Sequence, residues 1–231
     1  MIGFDDQTNP VSRLLSAEPI PVRTTTSRYN SQPYQFLKRA FDIVFSLGAL
    51  IVLSPIFLAV AIGVLITGGF PIVFRQARIG RNGRLFKICK FRTMVKNAEE
   101  VLRARPELWK EYQETYKLKE DPRISKLGHF LRSTTLDELP QLFNVLIGDM
   151  SIVGPRPIVQ KEIEKFGASA DIYLAMKPGC AGLWACSGRS DTTYEERVAL
   201  ETEYYNRASF GYDMKILFKT GLAVLTRRGA L

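Results

Sequence analysis

A long uncharged apolar run, Ile43–Ile66, limits what this chain can fold into more than any other feature of the sequence. It exceeds the roughly 20 residues that a helix needs to cross a bilayer. Ser54-Pro55 lies near its middle, where proline removes a backbone hydrogen bond and bends a helix. The run is therefore interpreted as a spanning helix, a bent re-entrant helix or a buried core helix.

Basic residues flank this run on both sides, and they bear on the choice between these alternatives. Lysine and arginine are enriched on the cytoplasmic side of a membrane, so both ends of the run are expected to be cytoplasmic. Each arm, of about 11–12 residues, would be roughly 17 Å long, which is enough for one leaflet only. The pattern favours a re-entrant helix over a spanning one, and either over a soluble core helix. The flanking residues are Lys38, Arg39, Arg75, Arg78, Arg81 and Arg84.

The charge of the chain indicates an anionic partner. With 32 Lys and Arg against 23 Asp and Glu, the net charge is +9. Nucleic acid, an anionic membrane surface and a phosphorylated substrate all fit that charge. The three cysteines lack paired C-x-x-C spacing, which indicates a reducing compartment and neither a disulfide framework nor a zinc site. His129 is the single histidine, which excludes a histidine-rich metal site.

Two adjacent carboxylates, Asp137 and Glu138, follow a hydroxyl cluster and precede an apolar stretch. Thr135 is predicted to be the N-cap of a helix, and Glu138 three residues later would complete a capping box. Pro140 requires that this helix begin close by. The pair is therefore predicted in a first helical turn, where backbone N–H groups attract anions. Taken alone, the pattern fits an ordinary helix start equally well.

The fold class predicted from the whole chain is mainly α with a small β-hairpin or sheet, an α+β monotopic membrane protein. Three segments are expected: a flexible tail over 1–33, a re-entrant membrane hairpin over 34–69, and a cytosolic catalytic domain over 70–231. The Asn82-Gly83 pair predicts a tight turn between two strands. Amphipathic helices, including one over 212–228, are expected to lie at the membrane interface.

Six separated motifs occur in order from residue 38 onward, and together they resemble one family. Any one of them is a weak signal, but six in order at consistent spacing are specific. The chain resembles the bacterial sugar transferases, the small monotopic phosphoglycosyl transferases that initiate exopolysaccharide assembly. The resemblance extends from Tyr34 to the end of the chain. The motifs are Lys38-Arg39-Ala40-Phe41-Asp42, Lys90-Phe91-Arg92-Thr93-Met94, Asp121-Pro122-Arg123, Leu136-Asp137-Glu138-Leu139-Pro140-Gln141, Gly154-Pro155-Arg156-Pro157 and Lys177-Pro178-Gly179.

This resemblance implies an activity and a cofactor. Such enzymes transfer a sugar-1-phosphate from a UDP-sugar to undecaprenyl phosphate and release UMP, through a covalent phosphosugar–aspartate intermediate and with Mg²⁺. Carried over to this sequence, Asp137 is the nucleophile and Glu138 helps to hold the metal. Ser54-Pro55 matches the kink of the family's re-entrant helix. Ala185-Cys186 departs from the Gln-Val expected after Gly182-Leu183-Trp184.

Basic side chains near these motifs are candidates for binding the anionic substrates. Arginine can hold phosphate oxygens with two parallel hydrogen bonds, which suits Arg132 and Arg156. Lys90 and Arg92 lie within a second motif, and Arg189 with Asp191 is considered for the nucleotide or the acceptor.

A non-catalytic reading remains open, in which the chain is a basic, membrane-docked scaffold of a polysaccharide assembly complex. Nucleic-acid binding is not expected, because the long apolar run has no place in it. The predicted partners are a UDP-sugar, undecaprenyl phosphate and lipids of the bacterial inner membrane, with the catalytic domain on the cytoplasmic face. Galactose and glucose are the leading sugars, and the sequence leaves a homo-oligomer open.

Overall fold

The computed structural model describes residues 27–115, 118, 120–188 and 192–225. Most of these residues are helical, and two small two-stranded sheets complete the fold, which confirms the predicted α+β class. The α-helices are α1 (Gln32–Val52), α2 (Ser54–Gly68), α3 (Ala98–Arg103), α4 (Pro106–Thr115), α5 (Lys126–Ser133), α6 (Gln141–Ile147), α7 (Ala170–Leu174), α8 (Tyr194–Arg207) and α9 (Phe210–Leu225). The strands are β1 (Val73–Ile79), β2 (Leu85–Phe91), β3 (Ser151–Val153) and β4 (Gly179–Ala181).

The chain divides into two compact units, each built from separate stretches of sequence. The larger unit takes in α1, residues 75–89 and everything from Gln141 through α9, whereas the smaller unit contains residues 53–74 and 90–140. The predicted tail, membrane hairpin and catalytic domain, with boundaries at residues 33 and 69, stay predictions. Residues 1–26 of the predicted tail lie outside the described residues. Its last part is folded, because Tyr29 lies in a 3₁₀ turn (Arg28–Asn30) and is fully buried.

The apolar run forms two helices with a break where the sequence predicts one. Helix α1 ends at Val52 and α2 begins at Ser54, with Pro55 in its first turn, where the missing N–H of proline does no harm. The two axes are bent by 65° at this point. Neither helix alone has the length and apolar character needed to cross a bilayer, whereas the bent pair has both when taken together.

The hairpin between β1 and β2 forms as the Asn82-Gly83 signal predicts. Asn82 and Gly83 both take positive φ angles, of 58° and 74°, which are favourable for Asn and Gly but costly for most other residues. Asn144 of α6 binds the edge of β2 as a further strand would, because its amide accepts from the Cys89 N–H at 2.9 Å and donates to the Lys87 carbonyl at 2.8 Å.

A parallel pair of short strands lies inside the larger unit. Ser151 of β3 is aligned with Gly179 of β4, and Val153 with Ala181. The two backbones pass so closely that a Cβ atom added at Gly179 would lie 2.1 Å from the Gly154 nitrogen. Glycine at these positions is therefore required by the close approach, which fixes the start of the Gly154–Pro157 loop.

A buried ion pair joins α1 to α9 within the larger unit. The ammonium of Lys38 lies 2.8 Å from Asp213, and both side chains are almost fully buried. The hydroxyls of Tyr34 and Tyr204 also donate to this carboxylate, at 2.9 and 2.8 Å. Such a pair stabilises the fold only while every member is present, because a lone buried charge is costly.

Replacing Lys38 with methionine is therefore expected to lower the free energy of unfolding by about 3 kcal/mol, since Asp213 would be left buried without its cation. Urea denaturation in detergent micelles measures this change. Lys219→Met, on an exposed position of α9, is the matched control and is expected to change the stability by less than about 0.5 kcal/mol. Equal stability of the two variants would contradict the structural role of the pair.

The smaller unit has its own apolar core. Its buried members are Val60 and Val64 of α2, Phe91 of β2 and Leu131 of α5. Gly128 allows α5 to lie directly against Thr93, because a Cβ atom at Gly128 would lie 2.1 Å from the Thr93 carbonyl oxygen. Ser125 caps the same helix by accepting from the Gly128 N–H at 2.9 Å. This packing fixes the end of β2 and the segment after α5, which together carry the candidate site.

Candidate active site

Asp137 and Glu138 lie in a short 3₁₀ turn, Leu136–Glu138, and not in the first turn of an α-helix. The predicted capping box is wrong. Thr135 has φ of 60° and its side chain accepts no capping bond, whereas an N-cap is normally extended. The α-helix begins only after Pro140, at Gln141. Because a 3₁₀ turn has three residues per turn, the two neighbouring carboxylates point in different directions.

Asp137 is the buried member of the pair, with 8% of its surface exposed. Within the described part of the chain, no other residue donates a hydrogen bond to its carboxylate. Burial, helped by the charge of Glu138, raises the pKa of Asp137 to about 6, against the opposing effects of Lys90 and Arg132. The carboxylate is therefore ionised at neutral pH but poorly solvated, which is the state expected of a nucleophile.

Glu138 is half-exposed and forms an ion pair with Lys90. The Lys90 ammonium lies 2.5 Å from Oε1 of Glu138. Lys90 is also the cation that acts most strongly on Asp137. The lysine at the end of β2 thus serves both carboxylates, and the prediction that Lys90 belongs to the site is consistent with this geometry.

Arg132 is held near the carboxylates by a residue that the sequence analysis did not single out. Its Nε donates to the hydroxyl of Thr93 at 3.0 Å, and Thr93 is buried. Arg132 as a whole residue is exposed, and its charge lowers the pKa of Asp137. Thr93 follows directly on Lys90-Phe91-Arg92, so its place in the motif was the available signal.

Arg92 occupies a different position from the other basic residues. Its guanidinium donates to the carbonyl of Gly69, just beyond the end of α2. A Cβ atom at Gly68 would lie 2.5 Å from the same nitrogen, so glycine makes room for this contact. A cation at a helix C-terminus is favourable. Arg92 is not among the main charges that act on Asp137, and its role in substrate binding stays a prediction.

The residues around Asp137 fit a magnesium ion only in part. No cluster of three or more His, Cys, Asp or Glu side chains that could hold a metal occurs among the described residues. Magnesium, however, is commonly held by one or two carboxylates together with substrate phosphates. Glu138 offers such a carboxylate, and its close contact with the Lys90 ammonium indicates that a cation is favoured there. The donor set therefore suits a metal that arrives with a phosphorylated substrate.

The remaining predicted site residues lie elsewhere. Arg156 belongs to the larger unit, where its side chain is exposed and its guanidinium lies 5.6 Å from the centre of the Trp184 ring. Arg189 and Asp191 lie outside the described residues, and their roles stay predictions. The Ala185-Cys186 departure falls in a 3₁₀ turn, Trp184–Cys186, directly after the Trp184 ring.

With this geometry in place, comparison with known proteins identifies the class. A sequence model of the bacterial sugar transferases matches residues 33–227, and the chain belongs to this family. It is 48% identical over 200 residues to the UDP-galactose-lipid carrier transferase of Erwinia amylovora, covering 85% of this chain and 42% of that protein. It is 46% identical over 197 residues to the exopolysaccharide production protein ExoY of Sinorhizobium fredii, covering 84% of this chain and 87% of that one.

A third relative, the UDP-glucose:undecaprenyl-phosphate glucose-1-phosphate transferase of Escherichia coli, is 37% identical over 219 residues, which cover 90% of this chain and 44% of that protein. The chain thus spans less than half the length of the galactose and glucose transferases and most of the length of ExoY. The resemblance stated from the six motifs is confirmed at the level of the family.

Proposed function

We propose that this protein transfers a sugar-1-phosphate from a UDP-sugar to undecaprenyl phosphate and releases UMP. The observation that carries the proposal is the state of Asp137, a buried carboxylate without a hydrogen bond from any other described residue, set between Glu138, Lys90 and Arg132. Membership of the sugar transferase family supports it, as do relatives named for galactose and glucose transfer to a lipid carrier. The reaction would begin exopolysaccharide assembly.

The chemistry takes two displacements at one phosphorus atom. In the first, an oxygen of Asp137 attacks the phosphorus that bears the sugar, the bond to the bridging diphosphate oxygen breaks, and UMP leaves with that electron pair. In the second, a phosphate oxygen of undecaprenyl phosphate attacks the same phosphorus and releases the Asp137 carboxylate. Division of one difficult displacement into two easier ones is the usual gain of covalent catalysis.

Positive charge is needed because an anion attacks an anion. Lys90 and Arg132 supply it on the protein side, and both lower the pKa of Asp137, so they also favour its ionised form. Arg132 is further suited to hold phosphate oxygens because Thr93 fixes its Nε and the guanidinium offers further N–H donors. Magnesium, when bound through Glu138 and the substrate phosphates, would neutralise charge on the diphosphate.

The acceptor is a lipid, and the exposed apolar surface supports a place at the inner membrane. Many apolar side chains of α1 and α2 face outward, Phe36, Val44 and Ile66 among them. Phe218 and Leu222 do the same on α9, as expected of an interfacial helix. The bend at Ser54-Pro55 supports a re-entrant topology in which both ends of the pair lie on the cytoplasmic face.

This topology predicts the accessibility of both ends of the helix pair. In a chain whose native cysteines are replaced by serine, cysteines at the exposed positions Gln32 and Phe70 are expected to resist a membrane-impermeant maleimide in intact cells. Both are expected to react when inverted vesicles are used. Reaction of one position from each side would instead indicate a spanning helix.

The function is tested by incubating purified protein with undecaprenyl phosphate, Mg²⁺ and a panel of UDP-sugars, and measuring UMP. We expect release with UDP-galactose or UDP-glucose that depends on the lipid acceptor in steady state. The panel also identifies the sugar. Absence of UMP with every donor would contradict the proposal and favour the non-catalytic scaffold.

A further inference from the structure

Arg156 is exposed on a loop whose backbone is unusually well fixed. Each residue from Gly154 to Ile158 makes at least one hydrogen bond through its backbone. Gly154 donates to Ala181, and Pro155 accepts from Gly179, both at 2.8 Å. Prolines on either side of Arg156 restrict the loop further, because each fixes its own φ and limits the residue before it.

Two buried side chains hold the backbone of Arg156 itself. Glu201 of α8 accepts from its N–H at 3.2 Å. Tyr173 of α7 donates from its hydroxyl to the Arg156 carbonyl at 2.9 Å and accepts from the Ile158 N–H at 3.3 Å. Both are almost completely buried, with 1% of the surface of each exposed. Both polar groups of the Arg156 backbone, its N–H and its carbonyl, are thus hydrogen-bonded to buried side chains, although Arg156 itself is exposed.

The buried carboxyl group of Glu201 is energetically unfavourable for folding. Burial raises its pKa to about 7, although Arg197 and Arg156 oppose the shift. One of its oxygens, Oε2, is buried and has no hydrogen-bond partner among the described residues. Burial of an acid whose oxygens are not all hydrogen-bonded costs free energy. Such local costs are typical of functional sites. Its other oxygen, Oε1, accepts from the Arg156 backbone N–H.

We propose that Glu201 and Tyr173 are positioning residues that hold Arg156 where its guanidinium binds the anionic UDP-sugar donor. The proposal rests on the proposed function, in which both substrates carry phosphate. Fixing the backbone before binding reduces the conformational freedom that the arginine loses when it grips an anion. The centre of the neighbouring Trp184 ring lies 5.6 Å from the guanidinium carbon.

The test compares steady-state constants for the UDP-sugar across a set of variants. Arg156→Ala is expected to raise KM by about thirtyfold, since a hydrogen bond to a charged group is lost. Tyr173→Phe, which keeps the ring and loses the hydroxyl, is expected to raise KM by about fivefold with kcat within about twofold. Tyr194→Phe is the matched control, because its hydroxyl bonds the Glu162 carbonyl outside this loop, and it is expected to leave KM unchanged.

The double variant distinguishes positioning from general stability. If Tyr173 acts through Arg156, adding Tyr173→Phe to Arg156→Ala should change KM by less than about twofold. Multiplication of the two effects would overturn the proposal. Glu201→Leu should raise KM as Tyr173→Phe does, and Glu201→Gln, which keeps the accepting oxygen, should restore it to within about twofold. Equal defects in the leucine and glutamine variants would exclude Glu201 from this role.

The outcomes also separate this inference from the proposed function. If the wild-type protein releases no UMP from any donor, the proposed function fails and the inference falls with it. If the wild-type protein is active but Arg156→Ala and Tyr173→Phe keep its KM, the function stands and the positioning role is wrong.

Discussion

Replacement of Asp137 by asparagine is expected to abolish turnover and, at the same time, to make the protein more stable at pH 8. Loss of activity follows from the proposed chemistry, because an amide oxygen is a poor nucleophile and cannot form the covalent intermediate. The expected fall in kcat is at least about 10⁴-fold, as for loss of a catalytic nucleophile elsewhere. A merely structural carboxylate would not show this combination.

The gain in stability follows from the pKa of Asp137. Burial raises this pKa from 3.8 to about 6, so the folded protein holds the proton more tightly than the unfolded chain does. Stability attributable to Asp137 therefore falls as the pH rises from 3.8 to about 6, and the cost is complete at pH 8. A shift of this size corresponds to about 3 kcal/mol, which the neutral asparagine avoids.

Thermal unfolding of both proteins at pH 5 and pH 8 measures this effect beside the UMP assay. The difference in Tm between variant and wild type should be larger at pH 8 than at pH 5. Asp171→Asn, in the first turn of α7, is the matched control for the change of net charge and should keep full activity. Normal turnover by the Asp137 variant would exclude it as the nucleophile.

Local signals in the sequence predicted much of the secondary structure. The helix break at Ser54-Pro55 and the turn at Asn82-Gly83 both depend on residues with restricted or unusual backbone angles. In each case the residues that determine the structure are adjacent in sequence, so no knowledge of the rest of the fold is needed.

Contacts between residues that are far apart in the sequence could not be predicted from such local signals. Threonine is a residue type favoured at N-caps, but Thr135 does not cap a helix, because its backbone is left-handed. It lies between the end of α5 and Pro140. The positions of Tyr173 and Glu201 around Arg156 depend on how α7 and α8 pack, which no short motif encodes. Likewise, nothing in the sequence around Arg92 indicates that its guanidinium binds the carbonyl of Gly69.

The candidate site was predictable from the sequence only in part. Asp137, Glu138 and Lys90 were chosen from motifs and Arg132 from its place beside one, and the structure brings their charges together within the smaller unit. The geometry adds a difference between the two carboxylates that the sequence could not show. Asp137 is buried and lacks a hydrogen bond from other described residues, whereas Glu138 is half-exposed and paired with Lys90.

That difference leads to the second prediction, in which Glu138→Gln lowers turnover by about 10²–10³-fold through loss of charge at the diphosphate. The fold should be little affected, because a half-exposed ion pair contributes about 1 kcal/mol or less. The decisive measurement is the Mg²⁺ concentration that gives half-maximal UMP release. We expect it to rise at least about tenfold, since magnesium favours a charged carboxylate over an amide.

Lys90→Met separates the two roles that Glu138 could have. If Glu138 acts by orienting Lys90, the two variants should share the same defect and the same requirement for Mg²⁺. If Glu138 meets the metal, loss of the competing ammonium should leave the requirement unchanged or lower it, in contrast to Glu138→Gln. Glu99→Gln, an exposed ion-pair partner on α3, controls for the change of net charge. An unaltered Mg²⁺ requirement in the Glu138 variant would remove this residue from the metal site, and its pairing with Lys90 would then be its whole function.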